Sequence, residues 1–356
     1  MKVLLLGEYS GFHKNLSEGL LEIGVDVVTA SGGDGWKQIP SDINWGSAKK
    51  GLGGKIERLY NVSKVYRQFE GYDAVQLVSP VILPTKLGIN KSFLKFITEN
   101  NSKTFLLGAG GSTENTAIAQ FLKERFKYPQ HYQEVIKRVK SEWSLSTSGR
   151  SFNDYLLDVI DGYIPIMYEY AQGYRDINYQ KQKKTIPIPM NINKVMYRDN
   201  ICHGKVVFCH GVTRAAEKGS HLIKDAMEKL KRKYPNDVEI HIVGNLPLAE
   251  YLKVTARANV IIDQTYSVSY GMNSVYNLAL GKVCVGGGET ECLNEFGLED
   301  SPLIPIDANV DDIFKTLERI LANKHLITDI GYKSRQYAED VHSHVIVANQ
   351  FLKTWT

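Results

Sequence analysis

Short apolar runs alternate with helix-patterned stretches along almost the whole chain, and this alternation limits the folds that the chain can adopt. One series of runs reads KVLLL, VDVVTA, DAVQLV and KTFLLG; a second, from residue 205, reads KVVFC, VEIHIV, NVIID, KVCVGG and PLIPI. Runs with so few polar interruptions are typical of parallel strands that helices cover on both faces. The sequence therefore predicts two successive open α/β units.

The stretch between the two series predicts where one domain ends and the next begins. Pro187 and Pro189 favour extended backbone, and the charged run QKQKK precedes them. A chain of 356 residues is also longer than a single core usually grows. We therefore expect a first domain over residues 1–190 and a second over residues 200–340, with a helix-rich, aromatic insertion at 113–175 in the first.

The composition is typical of a globular protein, with 43% apolar and 23% charged residues. The apolar stretch after Met1 is too short for a signal peptide, and no run approaches the roughly 18 apolar residues of a membrane span. The cysteines form no Cys-x-x-Cys pair, so reduced thiols are expected and a metal site is not. The expected location is the cytoplasm, including the inner face of the membrane.

Strand-to-helix turns are where open α/β sheets bind ligands, because helix N-termini present free N–H groups there. The first such turn, GEYSGFHKN, contains Gly11 and His13 but lacks the G-x-G-x-x-G dinucleotide fingerprint. The second, HGVTRAAEKGS, contains Gly211, Arg214 and Lys218. Two cations at a helix start oppose the helix dipole, so we predict that a diphosphate compensates them. The alternative is that both are solvated surface residues, with Lys218 paired to a carboxylate.

Two further turns carry related signals. After the run VIID, Gly271 and Asn273 begin a helix whose first N–H groups are uncommitted. After KVCV, three glycines precede Glu289 and Glu291. Acidic residues at a helix start favour the dipole, so Glu289 either caps that helix or accepts a hydrogen bond from a sugar hydroxyl.

Taken together, these turns resemble the C-terminal half of a GT-B glycosyltransferase of the retaining, family-4-like kind. The resemblance rests on FCHGVTRAAEKGSHLIKDAMEKL, IHIVGN and YGMNSVYNLALGKVCVGG. MKVLLLGEYSGFHKNLSEGLLEIGVDV resembles the start of such enzymes in bacterial polysaccharide clusters, and IPIPMN resembles their interdomain segment. The resemblance implies two Rossmann-like domains that face a cleft: an acceptor domain at 1–190 and a nucleotide-sugar domain at 200–340. Residues 341–356 would form a helix that crosses back to the N-terminal domain.

By position, the resemblance also implies roles for individual residues. Arg214 and Lys218 would hold the diphosphate, and Gly11 would let the first-domain loop approach the phosphates. Gly244 and Asn245 would lie near the base or the ribose. The full set of expected donor-binding residues is Gly11, His13, Gly211, Arg214, Lys218, Gly244, Asn245, Gly271, Met272, Asn273, Ser274, Tyr276 and Glu289.

The chain departs from this family at two positions that matter for the donor. Members usually carry two glutamates with seven residues between them around the third turn, and Val268 and Tyr276 stand at the matching positions. Tyr276 can exchange one hydrogen bond with a ribose hydroxyl but cannot replace a bidentate acceptor. The sequence assigns no catalytic residue.

The expected function is that of a hexosyltransferase, which moves a sugar from a nucleotide-sugar donor to a saccharide or lipid-linked acceptor. The chain contains no Asp-x-Asp motif, which favours a metal-independent reaction without a cofactor, in which fixed cations and helix dipoles stabilise the leaving diphosphate. The resemblance also implies that the transferred sugar retains its anomeric configuration. A nucleotide-sugar 2-epimerase and a GT-B binding protein without activity are the alternatives.

The segment KKGLGGKIERLYNVSKVYR, residues 49–67, contains six cations and one acid with interleaved aliphatic residues and tyrosines. Such a segment either touches anionic lipid, which would suit a lipid-linked acceptor, or forms a solvated helix face. Nucleic acid is not an expected partner, because no recognised module accompanies the basic residues.

Overall fold

The computed structural model describes residues 1–49, 51–109, 116–138, 146–212, 214–244 and 248–356. The chain divides into two compact units: unit 1 comprises Met1–Pro189 and His344–Thr356, and unit 2 comprises Met190–Ser343. Among these described residues, no helix has the length and apolar character needed to cross a bilayer.

The described strands form one sheet in each unit, and neighbouring strands run parallel in both sheets. The strands of unit 1 are β1 (Lys2–Leu6), β2 (Asp26–Ser31), β3 (Ile43–Asn44), β4 (Ala74–Leu77), β5 (Thr104–Gly108) and β6 (Gly162–Pro165). The strands of unit 2 are β7 (Val206–Val212), β8 (Val238–Gly244), β9 (Val260–Ile262) and β10 (Val283–Val285). Their order is β3-β2-β1-β4-β5-β6 in unit 1 and β10-β9-β7-β8 in unit 2. The predicted parallel α/β class is therefore confirmed.

Helices connect the strands, because parallel neighbours need a crossover between them. In chain order they are α1 (Phe12–Glu22), α2 (Gly51–Val65), α3 (Ile89–Glu99), α4 (Thr116–Glu124), α5 (Pro129–Arg138), α6 (Thr147–Val159), α7 (Tyr168–Asp176), α8 (Ala215–Lys218), α9 (Ser220–Lys233), α10 (Leu248–Arg257), α11 (Met272–Ala279), α12 (Thr290–Phe296), α13 (Val310–Ala322), α14 (Ile327–His342) and α15 (His344–Trp355). Short 3-10 turns lie at Gly35–Lys37, Tyr66–Phe69, Lys86–Gly88, Ile192–Lys194 and Lys324–Leu326.

The C-terminal helix α15 is part of unit 1, where it packs against α1. A side chain at Gly19 would overlap the main-chain carbonyl of His344, so glycine permits this close approach. At the other end of α15, Trp355 Nε1 donates to Gln76 Oε1 on β4 at 3.1 Å, which satisfies two buried polar groups. The last residues of the chain therefore complete the core that the first residues begin.

The core of unit 2 lies where its sheet meets α9 and α13, and its members include Phe208, Met227 and Leu317, none of them exposed. Strand register places His210 beside Ile262, which in turn pairs with Val285. The carboxyl ends of β7, β9 and β10 therefore lie at one edge of the sheet, and the loops that follow them leave from that edge.

Two details differ from the sequence prediction. The run PLIPI forms no strand; only Ile304 bridges to β10, because Pro302 and Pro305 lack the N–H groups that a ladder needs. Conversely, β3 and β6 were not predicted. β3 has two residues, and β6 begins with glycine and ends with proline, so neither has the composition of a typical strand.

Candidate functional site

Asp263 directly follows β9 and is the centre of a buried polar cluster at the carboxyl edge of the unit 2 sheet. Its Oδ1 accepts hydrogen bonds from Lys218 Nζ at 2.5 Å and from Asn273 Nδ2 at 3.0 Å, and its Oδ2 accepts one from Ser274 Oγ at 3.0 Å. Lys218 ends α8, whereas Asn273 and Ser274 belong to the first turn of α11. One carboxylate therefore joins the end of a strand, a short helix and the start of a second helix.

The surroundings of Asp263 favour its ionised form. Asp263 is 3% exposed and Lys218 is 6% exposed, so water solvates neither charge well. Burial alone would raise the pKa of Asp263, but the Lys218 ammonium and the hydrogen bonds from Asn273 and Ser274 outweigh burial and hold that pKa below its ordinary value. The cluster is therefore a charged pair whose geometry is fixed by additional hydrogen bonds.

Tyr251, from α10, extends the cluster. Its hydroxyl donates to Asn273 Oδ1 at 2.7 Å, and burial raises the pKa of Tyr251, so the hydroxyl remains a neutral donor. A Cβ at Gly211 would lie 2.6 Å from the Tyr251 hydroxyl oxygen. Gly211, predicted as a donor-site residue, thus has an internal packing reason to be glycine.

His210, on β7, forms a second buried polar link beside the cluster. Its Nδ1 lies 2.8 Å from the Ile262 carbonyl oxygen, and its Nε2 lies 2.8 Å from Ser220 Oγ. Burial lowers the pKa of His210, which favours a neutral ring that donates from Nδ1 and accepts at Nε2. The start of α9 is thereby attached to the central strand of the sheet.

Arg214 precedes α8 in the left-handed conformation, with φ 53° and ψ 58°, and is exposed. This conformation is unfavourable for a residue with a side chain, by roughly 1–2 kcal/mol. The end of α8 is attached to the chain after β9: Thr265 N donates to the Lys218 carbonyl at 3.0 Å, and a side chain at Gly219 would overlap Thr265. Arg214 is therefore an exposed cation on a strained but anchored turn.

The start of α11 combines a fixed helix end with open space. Gly271 is the N-cap residue, with extended backbone at φ −106° and ψ −174°. Among the described residues, no atom lies within 4 Å of a Cβ built at Gly271. The N–H groups of Met272, Asn273 and Ser274 lie in the first turn, at the positive end of the helix dipole. The described structure thus supplies no packing reason for glycine at this position.

The other predicted residues of unit 2 lie elsewhere around the sheet. Tyr276 is half-buried on α11, and burial raises its pKa. Gly244 is exposed at the end of β8, and Asn245 lies outside the described residues. Glu289 is the N-cap residue of α12, but its carboxylate does not cap that helix. Within the described chain, Asp263 accepts no hydrogen bond from these side chains.

In unit 1, the loop after β1 holds the predicted residues Gly11 and His13. His13 is 1% exposed, and its Nδ1 lies 2.7 Å from the Gly7 carbonyl oxygen. Burial lowers the pKa of His13 to about 4, so the ring is neutral and donates from Nδ1. Glu8 Oε1 accepts from the N–H of Gly11 at 3.0 Å. His13 and Glu8 therefore hydrogen-bond to the backbone of the loop itself, and the ligand contact predicted for His13 stays a prediction.

Sequence analysis singled out Lys218, Asn273 and Ser274, which the structure brings together, but missed the carboxylate that joins them. The available signal was an acidic residue directly after the buried run VII, at the end of the strand where such sheets bind ligands. The described residues contain no group of three or more histidine, cysteine or acidic side chains placed to hold a metal ion.

Comparison with solved structures relates the whole chain to two-domain GT-B proteins. The sucrose-phosphate synthase of Thermosynechococcus elongatus matches with a TM-score of 0.65 and 15% identity, over 100% of this chain and 98% of that chain. Anabaena HepE, solved in complex with UDP-glucose, matches with a TM-score of 0.62 and 14% identity, over 99% of both chains. The UDP-GlcNAc 2-epimerase of Neisseria meningitidis, bound to UDP-GlcNAc, matches with a TM-score of 0.52 and 10% identity, over 99% of both chains.

At these identities the similarity is one of fold, and the predicted GT-B fold is confirmed. No protein family model and no curated protein sequence matches the chain.

Proposed function

We propose that the protein transfers a sugar from a nucleotide-sugar donor to a saccharide or lipid-linked acceptor. The Asp263 cluster is the observation that carries the proposal, because it fixes a cation and a helix start at the edge where parallel sheets bind ligands. The whole-chain similarity to Anabaena HepE, which was solved with UDP-glucose, supports a uridine diphosphate sugar as the first donor to test.

In this proposal the diphosphate lies at the start of α11. The N–H groups of Met272–Ser274 and the helix dipole favour an anion there, and the open space at Gly271 allows a phosphate to approach the backbone. The Lys218 ammonium has three donors, so it can bind a phosphate while it keeps its bond to Asp263. Arg214 adds an exposed cation whose planar fork suits phosphate oxygens.

The reaction breaks the bond between the anomeric carbon of the sugar and the diphosphate oxygen, and it forms a bond from that carbon to an acceptor hydroxyl oxygen, which releases its proton. Negative charge develops on the departing diphosphate, where preorganised N–H groups and cations stabilise it most. Because these groups supply positive charge, we propose that the reaction needs neither metal nor cofactor. Retention of configuration is proposed on the resemblance to family-4-like enzymes.

A nucleotide-sugar 2-epimerase is the second candidate, since the chain is similar over 99% of its length to such an enzyme. Epimerisation needs groups that remove and return a proton at the sugar ring. Asp263 is a poor base, because its pairing with Lys218 holds its pKa low. His13 and His210 are buried, at 1% and 0% exposure. These observations favour the transferase.

Incubation of the full chain with UDP-glucose or UDP-GlcNAc, with and without saccharide acceptors, distinguishes the candidates when NMR follows the products. Release of UDP together with a glycoside, dependent on acceptor, supports the transferase. A C2 epimer formed without acceptor identifies the epimerase. If the chain binds the donor but no acceptor gives turnover, the transferase proposal fails and a binding protein remains.

A further inference from the structure

Helix α2 has apolar residues on two separate faces. One face is buried: Val62 is 4% exposed, and Phe69, in the turn that follows the helix, is fully buried. The other face carries Leu52, Ile56 and Tyr60, which are 75%, 60% and 58% exposed. We call these three residues the α2 stripe. A surface helix normally buries its apolar residues against the core, so the α2 stripe is apolar surface beyond what the fold of unit 1 uses.

The stripe is continuous. Its members are spaced by four residues, so they lie side by side along one face over about 12 Å of helix axis. Gly54 lies about half a turn away, and a side chain there would overlap the Lys49 carbonyl. The packed face and the α2 stripe are thus on opposite sides of the helix.

Cations flank the α2 stripe. Lys55 is exposed on one side, and Lys64 is exposed on the other with its Nζ 4.3 Å from the centre of the Tyr60 ring. The one acid of the helix, Glu57, is directed to Ser47 Oγ at 2.5 Å and to Lys49 Nζ at 3.7 Å. The charge of Glu57 is therefore compensated by Ser47 and Lys49, and the solvent-facing charges beside the α2 stripe are positive. Lys50, which belongs to the same basic run, lies outside the described residues.

We propose that the α2 stripe binds the surface of an anionic lipid bilayer. Leucine and isoleucine side chains enter the acyl boundary, tyrosine favours the level of the headgroups, and lysines flanking an apolar stripe reach the lipid phosphates. Each cation near an anionic surface strengthens partitioning about fivefold. The helix lies on the membrane and does not span it.

The charges around the α2 stripe disfavour a second copy of the chain as the partner of this face. A second copy of the chain, joined through the same face by two-fold symmetry, would bring Lys55 and Lys64 close to the same cations of its partner. An anionic bilayer has the complementary charge across the whole face. The proposal does not rest on glycosyl transfer, because lipid binding can be measured without any sugar nucleotide.

Cosedimentation of the full chain with vesicles tests the proposal. We expect binding to phosphatidylcholine vesicles that contain phosphatidylglycerol, weaker binding at high salt, and little binding to phosphatidylcholine alone. The variant Leu52→Gln/Ile56→Gln/Tyr60→Gln, which keeps good helix formers, should bind at least about tenfold more weakly. The variant Lys55→Gln/Lys64→Gln should bind about 25-fold more weakly.

Matched controls remove similar residues elsewhere on unit 1. Leu21→Gln/Ile177→Gln removes two apolar residues that are 60% and 53% exposed. Lys95→Gln/Lys353→Gln removes two exposed cations. Both controls should bind like the parent. Equal binding by all variants, equal losses in the controls, or equal binding to neutral vesicles would overturn the proposal. So would a dimer in solution that the Leu52→Gln/Ile56→Gln/Tyr60→Gln variant abolishes, because the stripe would then be a protein interface.

Discussion

Lys218 Nζ and Asp263 Oδ1 lie 2.5 Å apart inside unit 2, although 45 residues separate them in the sequence. The sequence predicted that a diphosphate compensates the charge of Lys218, with pairing to a carboxylate as the alternative. The structure shows the carboxylate pairing. Lys218 therefore contributes to the fold of the site before any ligand arrives, whereas Arg214 is exposed and precedes α8. Their variants should differ accordingly.

Lys218→Met should destabilise unit 2 by about 3–5 kcal/mol, because it leaves the Asp263 charge buried without its partner. The double variant Lys218→Met/Asp263→Asn should recover much of this loss, since it removes both charges and keeps side chains of similar size. Differential scanning calorimetry of the full chain measures both effects. Equal melting temperatures for the parent and Lys218→Met would show that the pair does not stabilise the fold.

The stability of unit 1 should fall as the pH is lowered through the range set by His13. Its pKa in the folded chain is about 4 against an ordinary 6.5, so between these values the unfolded chain binds the proton more tightly. The contribution of neutral His13 to the free energy of unfolding is therefore fully present above pH 6.5. This contribution falls by up to about 3 kcal/mol as the pH approaches 4. His13→Asn should flatten this dependence in chemical unfolding.

The control for this experiment is His325→Asn, at an exposed position. It should keep the pH dependence of the parent. The assignment to His13 is wrong if both variants show the parent's slope between pH 6.5 and pH 4.

Much of the fold could be predicted from the sequence because short, uninterrupted apolar runs such as KVLLL are typical of buried parallel strands. β6 escaped prediction because its glycine and proline are tolerated only through its neighbours in the sheet. The same limit applies to the site. Strand register places Asp263 near α8 and α11, and no local pattern encodes a contact between residues so far apart in the chain.

His13 lies in a turn that the sequence identified, but the sequence did not indicate which way its side chain points. Its position in a glycine-containing turn predicted a ligand contact, which stays a prediction, because side-chain direction decides whether such a residue faces solvent or the core. The hydrogen bond from Nδ1 to the Gly7 carbonyl turns the ring inward. The turn was recognisable from sequence, whereas the direction of one side chain within it was not.

Gly271→Ala should separate ligand approach from fold stability. The backbone at Gly271 suits any residue, and the added methyl group would meet no atom of the described residues within 4 Å. We expect an unchanged melting temperature and diphosphate binding weakened at least about tenfold, because the methyl group would occupy the space proposed for a phosphate. Gly53→Ala is the control, since a Cβ at Gly53 would also meet no atom of the described part of the chain within 4 Å, and it should leave binding unchanged. If Gly271→Ala binds diphosphate with the parent's affinity, the proposed position of the phosphate at the start of α11 is wrong.

Sugar transfer should survive EDTA if cations and helix N–H groups stabilise the leaving diphosphate. The measurement is the initial rate of transfer with and without EDTA, and the two rates should agree within about twofold. Loss of activity in EDTA that Mg²⁺ or Mn²⁺ restores would show that a metal ion carries this charge instead.

Calorimetric titration with UDP is the most direct measurement of the central claim, that unit 2 holds a nucleoside diphosphate between Arg214 and the start of α11. Arg214→Asn removes the guanidinium and places a residue that tolerates the left-handed backbone. Loss of a charge-assisted hydrogen bond of roughly 1.5–3 kcal/mol should weaken UDP binding about 10- to 100-fold. Uridine should bind the variant and the parent equally, and the surface control Arg232→Gln should bind UDP like the parent. Unchanged UDP affinity in Arg214→Asn, or an equal loss of uridine binding, would contradict the claim.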